Sequence, residues 1–187
     1  MLPRLTLAAA LLLALPSLAQ PAAGGQAARS SRPRVSANGL YTVRLVEPAP
    51  GRCRLEVSAD TGLGGWTLER CVGSVDDLYF VGNDGAKVWV LRPLVEKGKR
   101  RVKGKRSPPA WANAKVAWQV GRSGEVRETR WLAGLVPAKR LSEVRQFRAH
   151  FAWLEGTLGI PGKGPRLTDE AKVEFEAVGA KTYRLSF

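Results

Sequence analysis

Residues 141–158 read LSEVRQFRAHFAWLEGTL, and how this stretch is interpreted decides the fold class. Leu141, Val144, Phe147, Phe151, Leu154 and Leu158 recur at intervals of three and four, with Arg140, Glu143, Arg145 and Arg148 between them. That spacing puts the apolar side chains on one stripe of a helix and the charges on the other. It predicts one amphipathic helix of about 18 residues, ended by Gly159, Ile160, Pro161 and Gly162.

On either side of this stretch the pattern has period two. Tyr41, Val43 and Leu45 alternate with Thr42 and Arg44, and Cys53, Leu55 and Val57 alternate with Arg52, Arg54, Glu56 and Ser58. Both predict half-buried strands, joined by a Pro-rich turn at 48–51. A Gly-rich turn at 60–65 leads to a strand with Trp66 and Leu68 on one face. Leu78–Val81 and Lys87–Leu91 flank Gly82-Asn83-Asp84-Gly85, a strong hairpin signal. Up to Leu94 the pattern predicts a five-strand antiparallel meander. Residues 115–120 and 126–132 form another hairpin, and Val173 and Phe175 precede a last strand carrying Tyr183, Leu185 and Phe187. The expected fold is therefore α+β: mainly antiparallel sheet, meander plus hairpins, with the long helix packed on it.

Residues 1–19 have the layout of a signal peptide. Arg4 supplies the positive end, Leu5 to Leu15 are apolar apart from Thr6, and Ser17-Leu18-Ala19 offers a small-x-small cleavage site. The run is shorter than the about 20 residues a bilayer span needs. Residues 20–38, rich in Ala, Gly, Ser and Pro, read as a flexible leader, and 39–187 as a single β-rich domain. Export to the periplasm or the extracellular space is the expected destination. An oxidising compartment makes a disulfide between Cys53 and Cys71, the only two cysteines, the expected pairing. They sit at mirrored positions about a hairpin centred near Gly62. Trp66 and Leu68 are even-numbered and Cys71 odd, so the pairing requires a bulge near Arg70.

The formal charge is +14, and removing the leader segment 1–19, with its single Arg4 and no acid, leaves +13. Seven of these charges lie in residues 97–106, KGKRRVKGKR: Lys97, Lys99, Arg100, Arg101, Lys103, Lys105 and Arg106. Without them the mature chain carries +6, so ten residues hold more than half the surplus. Such a stretch binds phosphates or sulfates by counterion release, and Trp111 just beyond it offers stacking at an exposed position. The expected partners are anionic polymers or lipid head groups outside the cytosol, and a nuclear-localisation role falls away with export. A solvated surface loop with ordinary basic bias accounts equally for the composition.

Motifs for catalysis are missing. There is no Gly-x-Ser-x-Gly elbow and no Ser-x-x-Lys pair. His150, the one histidine, falls beside the apolar face of the predicted helix, where packing or surface exposure outweighs a catalytic role. Asp76-Asp77 reads as a turn former, and Asn83-Asp84-Gly85 lacks the ligand spacing of a calcium loop. No cofactor and no metal site is expected. The function expected is that of an exported, non-catalytic binding or structural protein. Two alternatives stand beside it. One is a small outer-membrane barrel, suggested by the terminal Tyr183, Leu185, Phe187 alternation. The other is a cell-wall or polysaccharide enzyme using carboxylates, for which a cleft holding acids with raised pKa would be the mark.

Overall fold

The computed structural model describes residues 27–96, 110–156, 164–179 and 181–187. Residues 1–26, which include the stretch expected to be a signal peptide, and the seven cations of 97–106 lie outside the described residues. The first sheet contains β1 (Arg29–Ser30), β2 (Arg34–Val35), β3 (Tyr41–Ala49), β4 (Arg52–Ala59) and β5 (Trp66–Leu68). Its alternation is the one the sequence predicts. Val43, Leu45, Leu55 and Val57 are buried on one face, while Arg44 opposes Glu56 across the ladder. The Glu56 carboxylate accepts from Arg44 Nε at 2.6 Å and Arg54 Nε at 2.5 Å. Burial pushes its pKa up, but these two guanidinium partners outweigh it and hold Glu56 below the ordinary carboxylate value.

Past Leu68 the chain leaves the ladder. The Arg70 N–H donates to the Leu68 carbonyl at 2.8 Å, a three-residue pinch that takes up one residue. Leu55 pairs with Leu68, so this pinch turns Cys71 back toward Cys53, and the Cys53–Cys71 disulfide forms with the Cα atoms 4.6 Å apart. The irregularity demanded by the parity mismatch is thus present at Arg70.

The stretch expected as a flexible leader contributes β1 and β2, which pair antiparallel with the outer edge of β3. Apolar burial is not what holds them, since Val35 is 52% exposed. Backbone groups and two buried serine hydroxyls hold them instead. Ser31 N–H donates to Leu45 O at 2.8 Å while Ser31 Oγ accepts from Leu45 N–H at 2.8 Å, and Ser36 Oγ accepts from Tyr41 N–H at 3.0 Å. A compositional argument counts apolar surface and overlooks such pairing of a strand edge.

β6 (Leu78–Val81) and β7 (Lys87–Leu91) form the expected hairpin, followed by β8 (Leu94–Glu96), β9 (Lys115–Gly121) and β10 (Val126–Trp131). The five-strand meander is not formed. β6, β7, β9 and β10 make a separate sheet in the order β10-β9-β7-β6. Tyr79, Val81, Val88, Val90, Trp118 and Val120 pack on Val43, Leu45, Leu55 and Val57 of the first sheet. Phe80, Trp89, Leu91 and Ala117 face a second core built from the C-terminal half. The central sheet is buried on both faces, which is why LYFV and KVWVL are nearly continuous apolar runs. The turn at 82–85 also abuts the first sheet. Gly85 has φ +65°, and a Cβ there would lie 2.4 Å from the Tyr41 ring.

The long helix is not present. Among the described residues the helical elements are α1 (Leu132–Leu135) and two 3-10 turns, Ala110–Asn113 and Ala138–Glu143. The predicted helix is instead a hairpin of β11 (Arg145–Gln146) and β12 (His150–Ala152), closed by Phe147 N–H donating to His150 O at 2.8 Å. β12 pairs onward with β8. A helix would set Ala152 and Trp153 among the charges and bury Phe147. The opposite holds: Ala152 is 2% exposed, Trp153 0% and Phe147 43%. The aromatic Phe151 suits a strand with a free partner edge, and β8 supplies that edge. Leu158 and residues 159–162 lie outside the described residues. The fold is β-rich rather than α+β.

β13 (Arg166–Leu167), β14 (Val173–Ala177) and β15 (Lys181–Leu185) complete the second core. Leu185 is buried there, with Tyr183 and Phe187 packed against the same cluster. The Ser186 carbonyl accepts from Trp89 Nε1 at 2.9 Å and Gln119 Nε2 at 3.2 Å, clipping the C-terminus to the central sheet.

Candidate functional site

A cleft of about 710 Å³ opens where the ends of β7, β8, β9 and β12 meet the loop before β6. Its polar lining includes Asp76, Asp77, Arg92, Glu96, Lys115 and His150, and Trp111 and Pro93 contribute apolar wall.

Asp77 is 6% exposed and organises one side. Its Oδ2 accepts from the Ser74 N–H at 2.9 Å and from Arg92 Nη2 at 3.3 Å, and its Oδ1 from Arg92 Nε at 3.4 Å. Burial pushes the Asp77 carboxyl above its ordinary pKa, against the pull of Ser74 and Arg92. Beneath it, Tyr79 Oη donates to the Ser74 carbonyl at 2.7 Å, and burial together with Asp77 raises that phenol. Gly73 makes this approach possible, since a Cβ there would lie 2.6 Å from Tyr79 Oη and 2.8 Å from Asp77 Oδ2.

Arg92 is fixed at both ends. Its N–H donates to Val116 O at 2.8 Å, its carbonyl accepts from Trp153 Nε1 at 2.6 Å, and its guanidinium lies 5.0 Å from the Trp118 ring centroid. Lys115 Nζ lies 4.4 Å from the same centroid. Trp118 is itself immobilised, 2% exposed with its indole N–H donated to Val72 O at 3.0 Å. Burial first, then the positive charge of Arg92, depress the Lys115 pKa. Among the described residues no carboxylate lies within ion-pair distance of Lys115. Asp76 is drawn outward to Arg29 at 3.5 Å.

The structure rearranges the residues singled out from the sequence. Lys97, Lys99, Arg100, Arg101, Lys103, Lys105 and Arg106 lie outside the described residues, but Glu96 and Trp111, close on either side of them, both line the cleft. Trp111, expected to be exposed, is 9% exposed and stacks on Phe151 with centroids 4.2 Å apart. The 3-10 turn Ala110–Asn113 folds it inward. The exposed tryptophan is Trp131, 53% accessible and paired with Lys115 in the β9–β10 ladder. Asp76, Asp77 and His150, read as turn and packing residues, all reach the cleft. Arg92 and Lys115 were not singled out. The signal available was a cation at the very end of an unbroken apolar run, VWVL before Arg92 and VAW after Lys115.

Chemically, the cleft offers two cations held over an indole, of which one is balanced by a buried carboxylate. That arrangement is suited to holding an anion. Among the described residues no group of three or more His, Cys, Asp or Glu side chains is placed to hold a metal, and no helix is long and apolar enough to cross a membrane. No protein-family model matches this chain, and neither the curated proteins nor the solved structures contain a significant match.

Proposed function

We propose that the protein is an exported, non-catalytic binding protein that engages anionic polymers or lipid head groups through residues 97–106 and the cleft between their flanks. The observation that carries this reading is Lys115, a half-buried cation in the cleft that no described carboxylate neutralises. The charge of +13 on the chain after Ala19 and the seven basic residues whose flanking positions line that cleft add long-range attraction. The Cys53–Cys71 disulfide fits an oxidising compartment, and cleavage after Ala19 is part of the proposal. N-terminal sequencing of protein recovered from periplasm or culture fluid should begin at Gln20.

The test is retention on heparin and on lipopolysaccharide as salt is raised. Affinity should fall steeply with log[salt], and replacing the seven cations of 97–106 by Gln should flatten that dependence. Unchanged binding in that variant would remove these residues from the function.

A second reading, a polysaccharide-acting enzyme using carboxylates, is favoured by the raised pKa of Asp77 in a cleft that also holds Asp76 and Glu96. Both Asp77 oxygens are already engaged by Arg92 and Ser74, which favours the binding role. Release of reducing ends from acidic polysaccharides by the wild type, abolished in Asp77→Asn, would establish the enzyme instead.

A further inference from the structure

We propose that Arg92 and Lys115, held over the indole of Trp118, form the seat for one oxyanion (a carboxylate, sulfate or phosphate group) carried by a sugar unit of the bound polymer. This rests on the polymer-binding reading above and names what the cleft recognises. Arg92 gives Nε and Nη2 to Asp77, and no described group accepts from its Nη1. Lys115 stands on the same ring with three donors and, among the described residues, no acidic partner. Two neighbouring cations served by one carboxylate leave one positive charge uncompensated, which a single negative group would balance.

The surrounding charges do not fill that role. Asp76 is engaged by Arg29, and Glu96, exposed on the rim, forms no ion pair with Lys115 among the described residues. A volume of about 710 Å³ is of the size that holds a drug-sized ligand. Pro93 and Trp111 lie in the cleft wall, and Trp131, outside the lining but opposite Lys115 on the neighbouring strand and 53% exposed, offers an aromatic face to a sugar ring that extends over the rim. The site is therefore built for a charged sugar rather than for an isolated ion.

The experiment is calorimetric titration of the full mature chain with D-glucuronate, glucose 6-phosphate, inorganic sulfate and neutral D-glucose. Wild type, Lys115→Gln, Lys115→Arg and Trp131→Ala are compared, with circular dichroism confirming the fold of each. Both charged sugars should bind and glucose should not. Lys115→Gln should lose about ten- to hundredfold in affinity, the range for removing a charge-assisted bond, while Lys115→Arg keeps most of it. Sulfate should bind more weakly than the charged sugars, and Trp131→Ala should bring the sugars down toward sulfate. Glucose binding as well as glucuronate, or Lys115→Gln binding like the wild type, would overturn the seat. Sulfate binding as well as the sugars would overturn the sugar assignment. Heparin retention on the same proteins separates the two proposals: a wild type that binds charged sugars but not heparin refutes polymer binding and keeps the seat.

Discussion

Trp153 and Phe147 exchange places between the helix that residues 141–158 suggest and the hairpin they form, so their truncation discriminates the two directly. Trp153 is fully buried, donates to the Arg92 carbonyl at 2.6 Å and meets Phe175 edge-on at 5.7 Å. Trp153→Ala removes a large core side chain, leaves a cavity and strips a buried carbonyl of its donor, at a cost of about 4 kcal/mol. For a chain of this length that corresponds to a fall in Tm of about 8–16 °C. Trp153→Phe keeps most of the ring and loses the hydrogen bond, so about 1–3 kcal/mol is expected. Phe147 is 43% exposed, and Phe147→Ala should cost about 1 kcal/mol. Urea unfolding of the four proteins, with the disulfide intact, gives the midpoints and slopes. A Phe147→Ala loss as large as that of Trp153→Ala, or a Trp153→Ala loss under about 0.5 kcal/mol, would refute the packing described for this hairpin.

Other perturbations follow from the same structure. Replacing both Cys53 and Cys71 by Ser opens a loop of sequence separation 18 and should lower stability by about 3 kcal/mol, measured by the same urea titration. Gly85→Ala combines a positive φ with a Cβ set against the Tyr41 ring, so a loss of about 1–3 kcal/mol is expected; a neutral result would mean the hairpin turn is not seated on the first sheet. Asp77 has its pKa raised by burial, so the folded state holds the proton more tightly than the unfolded chain. Stability contributed by this site is then lost as pH rises from about 4 through the raised value. The difference in unfolding free energy between wild type and Asp77→Asn should shift against the wild type over that window, and a flat difference would contradict the burial of Asp77.

Much of the strand pattern was legible because its signals are local. Gly82-Asn83-Asp84-Gly85 and the 121–124 turn announce their hairpins by residue type alone, and Val43, Leu45, Leu55 and Val57 alternate because one face of their sheet meets water. The three-layer arrangement was not legible. A strand buried on both faces loses its period, so nothing in LYFV or KVWVL says which partner lies on which side. The hairpin at 145–152 was hidden for a different reason. Its turn, Phe147-Arg148-Ala149-His150, lacks Gly, Pro, Asn and Asp, and the spacing of Val144, Phe147 and Phe151 across it coincides with helical periodicity. The cleft was half visible: Asp76, Asp77 and His150 drew notice singly, but their meeting with Arg92 and Lys115 depends on how β7, β8, β9 and β12 converge.

The most direct test of the central claim is an NMR titration of the mature chain with a sulfated oligosaccharide, following the indole N–H signals and the Lys115 Nζ resonance. Trp118 and Trp131 should shift together with Lys115, while Trp66, bonded to the Gly85 carbonyl at 2.6 Å away from the cleft, stays in place. Saturable binding that leaves Trp118 and Lys115 unmoved would contradict the account.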